Sequence, residues 1–343
     1  MEKAVERHFF HHSDVEIAQK ERDTCHWCQL RSFDLHWSAP ITVVNTVDDE
    51  VLPPDFRFIQ ERVLGQGVEA AEISFRSGCI CEDDADCQYA DCLCLADIGD
   101  SDIESLDENH DGLYHGNGNV DDEAFKKKYA YHAHGAKAGL LRSKMLRSKL
   151  PLYECHYGCS CSANCPNRVV ERGRTVPLQI FRTEDRGWGV RTQEALKKGQ
   201  YVDCYVGEVI TSVEADRRRD ASAISQRKDV YLFALDKFTD ANSFDARLRG
   251  DPLEVDGQFM SGPTRFINHS CDPNLAIFAR VGDHADKHLH DLALFAIKDI
   301  QQGEELTFDY VAGEPLETHE REGNIQDMTK CLCGSSKCRK FLW

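Results

Sequence analysis

The apolar positions of this chain fall into two textures. From Thr175 onward, short runs rich in β-branched and aromatic residues alternate with turn residues: VPLQIFRT, GQYVDCYVGEVI, VYLFAL, NLAIFARV, DLALFAIKDI and ELTFDYV. Such residues suit a half-buried pleated surface, so each run predicts a strand. One helix interrupts them at about Ser212–Gln226, opened by the capping box Thr211-x-x-Glu214. Strands this short and frequent predict a mainly β fold of several small sheets with short helices, not a parallel α/β sheet. No GxGxxG joins a strand to a helix, which excludes a Rossmann cofactor site.

Upstream the pattern is different. Residues 1–65 show little periodicity. From Leu95 to about Glu123 the chain is acidic and rich in Gly and Asn, with too few apolar residues to offset the entropy of ordering, so it reads as a flexible insert. Within it, Asp107, Asn109, Asp111 and Gly112 imitate the start of a calcium loop. The twelfth position is Gly118 rather than Glu, and no amphipathic helices flank it, so calcium is excluded.

The 343 residues suggest two or three domains. No apolar run approaches the ~18 residues of a membrane span, and the start lacks the apolar stretch of a secretory signal. An intracellular, membrane-free protein is therefore expected. The net charge of −18 disfavours direct DNA binding, although Lys126–Lys128 and Arg142–Lys149 form local basic runs. It favours a basic partner such as a Lys/Arg-rich peptide.

Sixteen cysteines in an intracellular chain point to metal. The first cluster is Cys79-x-Cys81-x5-Cys87-x4-Cys92-x-Cys94, and the second Cys155-x3-Cys159-x-Cys161-x3-Cys165. Structural zinc takes four tetrahedral ligands. Nine thiolates fill two such sites with one left over, or three sites when three thiolates each bridge two metals; the regular grouping favours the trinuclear form. The tail supplies only Cys331-x-Cys333-x4-Cys338. Cys271, in NHSCDPN, is the best candidate for the fourth ligand, which would fold the tail back across residues 268–274 as a clasp. Cys25 and Cys28 form a lone CHWC, a weak metal signal, and Cys204 reads as a small core residue.

Three further segments stand out: Arg186-Gly187-Trp188-Gly189-Val190, then RFINHSCDPN from Arg265 to Asn274, then GEELTFDY ending at Tyr310. GWG alone occurs in ordinary hairpins, and an aromatic pair such as Phe308 and Tyr310 on one strand face is usually core. In this order, the three resemble the SET-domain protein lysine methyltransferases. The resemblance extends from the nine-cysteine cluster (pre-SET) to the CxCx4C tail (post-SET), and that combination is similar to the Suv39-type histone H3 lysine-nine enzymes.

This resemblance implies an N-terminal extension over 1–65, a pre-SET zinc-cluster domain over 66–172, a SET domain over 173–315 with knot-like C-terminal threading, and a post-SET zinc clasp over 316–343. It implies S-adenosylmethionine as cofactor, three zinc ions in the pre-SET cluster and one in the clasp. The substrate would be the histone H3 tail at lysine nine, giving di- and trimethyl-lysine. A nuclear, chromatin location follows, with heterochromatin adaptor proteins as candidate partners. Tyr310 takes the catalytic position and Tyr205 orders the target amine. Arg186, Gly187, Trp188, Tyr231, Arg265, Asn268 and His269 fall to the cofactor, and a tail anchored on Cys271 would bring Trp343 over it. Phe308 and Phe233 would line the substrate side, and Asp236, after YLFAL, is the candidate contact for an arginine of the tail. A hydroxyl at position 308 would occupy the space that a methylated amine needs; Phe308 leaves it open. A SET-like tail reader without activity, a zinc-dependent nucleic-acid binder and a SET enzyme with a non-histone target are the rival readings.

Overall fold

The apolar runs become strands that close into small sheets. The computed structural model describes residues 23–89, 91–99, 128–148, 150–221, 231–311 and 329–342. One sheet orders β1 (Ile41–Val44), β5 (Leu178–Arg182) and β6 (Trp188–Thr192). A second orders β4 (Leu152–Tyr153), β13 (Leu275–Val281), β14 (Asp291–Ala296) and β7 (Tyr201–Tyr205). A third orders β3 (Val63–Leu64), β8 (Glu208–Ile210), β10 (Glu254–Asp256) and β9 (Leu232–Ala234). Two short parallel pairs complete the set, β2 (Arg57–Phe58) with β11 (Met260–Ser261), and β12 (Asn268–His269) with β15 (Thr307–Phe308).

The run GQYVDCYVGEVI splits into β7 and β8 on either side of Gly207, where the backbone runs so close to Asp256 that a Cβ would lie 2.3 Å from its carbonyl oxygen. The run ELTFDYV contributes only the two residues of β15. The helices are α1 (His26–Arg31), α2 (Ser143–Arg147) and α3 (Ser212–Ala221). At α3 the Thr211 hydroxyl accepts the Glu214 N–H at 3.3 Å, but the Glu214 carboxylate turns outward to Arg217 and Arg218. The expected extension of this helix to Gln226 lies outside the described residues.

Residues 23–65, part of a region whose role the sequence leaves open, are woven into the fold. β1 pairs in parallel with β5, β2 with β11 and β3 with β8. Leu30, Phe33, Ile41, Leu52, Phe56 and Phe58 fill one core together with Val176, Leu178, Ile180, Phe266 and Phe308. A second core surrounds the two cysteine clusters and includes Tyr129, Tyr131, Leu152 and Phe295. Leu95, at the start of the predicted insert, is fully buried there, and Asp97 pairs with His284 and Lys287. The rest of that insert from residue 100, including the calcium-like residues, lies outside the described residues.

A buried ionic knot joins the segments flanking the second cysteine cluster to β13 and β14. Arg280 of β13 binds Glu154 at 3.1 Å, Glu171 at 2.6 Å and Asp291 at 2.9 Å. Among the described residues no helix is long and apolar enough to cross a membrane.

Candidate active site and metal centres

The RGWGV segment turns sharply because the Gly187 carbonyl accepts both the Thr183 N–H and hydroxyl, at 2.7 and 2.8 Å. Gly187 holds φ +73°, a left-handed conformation that glycine adopts without cost. Two residues on, a side chain at Gly189 would press within 2.9 Å of a Glu305 carboxylate oxygen. That carboxylate ties the three motif segments together. It binds Arg186 at 2.6 Å and the Asn268 amide at 2.9 Å, and the same amide reaches the Trp188 carbonyl at 3.2 Å. Parallel pairing of Asn268 with Thr307, and of His269 with Phe308, fixes the register of the last two segments.

The result is a cavity of about 490 Å³. Arg186, Gly187, Trp188, Tyr231, Arg265, Asn268, His269 and Tyr310 all line it, and Cys331, Cys333 and Leu342 of the tail close one side. Seven of the eight residues expected at the cofactor are therefore brought together; the eighth, Trp343, lies outside the described residues. Arg265 is almost fully buried: it donates to the carbonyls of Gly257 and Gln258, at 3.1 and 3.2 Å, and its guanidinium sits 4.3 Å from the Tyr231 ring. It thus shapes the wall as well as lining it.

Four rings, Tyr310 among them, pack together next to the cavity. Phe308 lies 4.7 Å from Tyr310 and 5.6 Å from Phe233, and Phe233 packs edge-on against Tyr205 at 4.6 Å. The Tyr310 hydroxyl donates to the Ile267 carbonyl at 2.6 Å, and its N–H to His269 Nδ1 at 3.1 Å. The Tyr205 hydroxyl donates to the Tyr231 carbonyl at 3.0 Å. Burial raises the pKa of both tyrosines well above the ordinary value, so both stay neutral phenols. Burial also holds His269 down at about 4, a neutral imidazole at physiological pH. Asp236 is exposed two residues past the end of β9 and stands outside the four-ring cluster, its charge facing His290.

The cysteines converge as ligand sets. Four sulfurs around zinc at about 2.3 Å stand about 3.8 Å apart along each edge of the tetrahedron. Here Cys79 Sγ lies 3.8 Å from Cys87, 3.9 Å from Cys155 and 4.0 Å from Cys161, and Cys92 lies 3.9 Å from Cys155. Cys94 and Cys159 are 3.4 Å apart. No disulfide links any of these, and such separations are far beyond the ~2.05 Å of an S–S bond. Cys79, Cys81, Cys87 and Cys92 form one four-ligand set, and Cys271, Cys331, Cys333 and Cys338 another. Cys87 also interacts with Cys155 and Cys165, and Cys155 with Cys92, Cys159 and Cys165. These thiolate sets fit zinc in donor type and spacing. Cys25 and Cys28 belong to none of the ligand groups found among the described residues. Cys204 accepts the Tyr201 hydroxyl at 3.3 Å.

Several supporting residues escape the motif reading. Arg168 Nη2 reaches Cys161 Sγ at 3.1 Å and the Asn167 amide reaches Cys155 Sγ at 3.5 Å, offsetting negative charge on the sulfurs. Arg339 grips Asp309 through both terminal guanidinium nitrogens, at 2.9 and 2.5 Å, and so fastens the tail to the residue just before Tyr310. The CPNR sequence after Cys165 and the CRK after Lys337 place cations beside cysteines, which was the available signal.

Known proteins match this arrangement. The SET domain profile covers residues 187–311, and the Pre-SET motif covers residues 33–168. The chain is 66% identical to the H3 lysine-9 specific histone-lysine N-methyltransferase KMT1 of Fusarium mangiferae, over 100% of this chain and 99% of that protein. It is 59% identical to the H3 lysine-9 specific dim-5 of Neurospora crassa, over the whole of both chains. The solved structure of Neurospora DIM-5, a histone lysine methyltransferase, superposes with a TM-score of 0.70 over 86% of this chain and 100% of that chain. Arabidopsis thaliana SUVH6 in complex with SAM superposes at 0.60 with 26% identity, over 89% of this chain and 53% of that one. The chain belongs to the SET-domain histone-lysine N-methyltransferase family, with a Pre-SET region preceding the catalytic domain.

Proposed function

We propose that this protein methylates the lysine at position nine of the histone H3 tail, in the nucleus, giving di- and trimethyl-lysine. The observation that carries the reading is the placement of Tyr310, which lines the polar cavity and packs against Phe308 and Phe233 of the four-ring cluster. S-adenosylmethionine, when bound, supplies the electrophilic methyl group. Arg186, Trp188, Tyr231, Asn268 and His269 would hold it, with Trp343 as a further contact. Asn268 and Glu305 fix the wall against which it rests.

The chain's own residues order the nucleophile. Tyr310 commits its proton to Ile267 and Tyr205 commits its proton to Tyr231, so both oxygens offer lone pairs to the lysine amine. As buried neutral phenols they act by orientation and electrostatics rather than as phenolate bases. The apolar rings of Phe233 and Phe308 disfavour the charged ammonium, easing loss of its proton. Phe308, 2% exposed, presents no polar atom to a growing methylammonium, which favours repeated transfer.

The extended H3 tail would add to β9, the outer strand of its sheet, with Asp236 taking an arginine. The nine clustered cysteines would hold three zinc ions with three thiolates shared, and Cys271, Cys331, Cys333 and Cys338 a fourth, bracing the fold rather than taking part in the chemistry. The test is methyl transfer to an H3 peptide and to its position-nine alanine variant, followed by mass spectrometry. Labelling of the first peptide alone supports the assignment; equal labelling of both refutes it.

A further inference from the structure

The chain is acidic as a whole, yet its cations are gathered rather than spread. From Ala124 to Tyr153 it carries eight Lys and Arg and no Asp or Glu, against a net charge of −18 overall. We infer that the face built on this segment binds the phosphate backbone of duplex DNA, and so seats the enzyme beside the histone tail it modifies. The setting rests on the histone reading above; the binding itself does not.

The fold enlarges the cluster. Tyr131 and Leu141 pair across a hairpin, and Arg142 follows with its guanidinium on the Tyr129 carbonyl at 3.3 Å. The turn at Lys197, Lys198 and Gly199 is clamped against that hairpin. The Leu141 N–H donates to the Gly199 carbonyl at 2.7 Å, and Lys197 Nζ reaches the Ala136 carbonyl at 3.4 Å, next to Lys137. The Lys198 N–H donates to the Asp299 carboxylate at 2.8 Å, which brings Lys298 to the same edge. Lys137, Lys197, Lys198 and Lys298 are all exposed. Among the described residues, none of these four pairs with a carboxylate, and neither does Arg142 or Arg147. Arginines elsewhere are paired, as Arg182 is with Asp48 and Arg247 with Asp245. The acids flanking the lysine turn, Glu194 and Asp299, are outnumbered.

What the face lacks identifies its partner. None of the large exposed apolar side chains among the described residues falls within 128–148 or 195–200. A protein partner would need apolar anchors at the centre of its interface, whereas a phosphate backbone needs point charges and close approach. The hairpin tip supplies both, because Gly135, Ala136 and Ala138 are exposed beside Lys137 and leave a large, smooth partner free to come near. The acidity of the rest of the chain does not cancel this. At physiological salt, charges on exposed surface more than ~8 Å away are largely screened, so the local balance decides.

The probe is a fluorescein-labelled DNA duplex of about 30 base pairs, titrated by anisotropy against the zinc-loaded full chain without cofactor or peptide. About four phosphate contacts give a log–log salt slope of about −3 to −4, so affinity should fall roughly 100-fold between about 50 and 200 mM salt. The triple variant Lys137→Glu, Lys197→Glu, Lys198→Glu should bind about tenfold or more weakly at the lower salt, and Arg at the same three positions should retain binding. Methyl transfer to the free H3 peptide should be unchanged in the Glu variant, which shows that it is folded, while transfer to whole nucleosomes should fall. Failure of the histone reading would appear separately, as absence of peptide transfer in the parent. A parent chain that does not bind the duplex at low salt, or a Glu variant that binds it as tightly as the parent, overturns the inference. So does tighter binding of a labelled polyglutamate peptide than of the duplex, which would give the face to an acidic protein. Duplex binding that appears only after deletion of residues 100–123 overturns it too, by giving the face to the chain's own acidic insert.

Discussion

The ionic knot between the cysteine cluster and the catalytic sheet is the sharpest place to perturb the fold without touching a metal ligand. Glu154 is fully buried, and its carboxylate serves the Tyr131 hydroxyl at 2.5 Å, three backbone N–H groups of Val169, Val170 and Glu171 at 2.9–3.0 Å, and Arg280 at 3.1 Å. Glu154→Gln keeps the shape but turns one oxygen into an amino group. Seated in place of Oε2, that group faces the Glu171 N–H and Arg280, donor against donor. Breaking a buried ion pair costs about 3–5 kcal/mol. Arg280 keeps Glu171 and Asp291 as partners, which argues for the lower end, about 3 kcal/mol. That is a large fraction of the ~5–15 kcal/mol that holds a typical domain folded. It should lower the melting temperature by about 6–12 °C. Glu154 directly precedes Cys155, so the variant should also release zinc faster to a chromogenic chelator. A Gln variant that melts within ~1 °C of the parent, with unchanged zinc release, refutes the idea that this knot holds the cluster to the catalytic core.

Four further outcomes follow from particular contacts. Phe308→Tyr should shift the product toward monomethyl-lysine, read by mass spectrometry; unchanged trimethylation would end the account of the open space beside Tyr310. Asp256 receives Arg218 at 2.7 Å and the Gln258 N–H at 2.8 Å, and so holds the turn whose Gly257 N–H binds the Tyr231 carbonyl, the acceptor of Tyr205. Asp256→Ala should lower kcat roughly tenfold with a smaller change in peptide KM, and Asp256→Asn should recover part of it by keeping the turn hydrogen bond. Cys338→Ser should lose about one zinc per chain by elemental analysis while the nine-cysteine cluster keeps its own, and activity should fall as the tail no longer closes the cavity. Burial pushes Asp203 up to about 6 against the opposing charge of Arg174. The folded state then holds this proton more tightly than the unfolded chain, so its contribution is favourable below pH ~4 and is lost as pH rises through about 6. Asp203→Asn should therefore flatten the loss of stability between about pH 4 and 6, measured by denaturant titration at each pH; an unchanged slope would contradict the shift.

What could be read from the sequence is what local spacing encodes. The CxC units and their flanking cysteines announce ligand sets, because tetrahedral coordination demands four sulfurs and short spacings deliver them together. Cys271 was reachable by the same reasoning, since three tail cysteines need a fourth partner, and it lies 3.8 Å from Cys331. The three motif segments were recognisable in order, although nothing local announced that Glu305 binds both of the others. The segments that stayed opaque are those whose meaning is non-local. β2 and β3 are two residues each, too short for any period, and exist because β11 and β8 offer them edges some 200 and 145 residues later in the chain. Glu154 and Arg280 carry no local signal of burial, and only the packing of the cysteine-cluster segments against β13 and β14 puts them out of water and makes their pairing obligatory. Arg265 shows the same limit inside the site. Its motif says that it belongs at the cofactor, yet its guanidinium is engaged by the carbonyls of Gly257 and Gln258 and by the ring of Tyr231. A motif thus marks which residues meet, while the division of labour among them, binding or bracing, is decided by hydrogen bonds that the spacing along one segment does not contain.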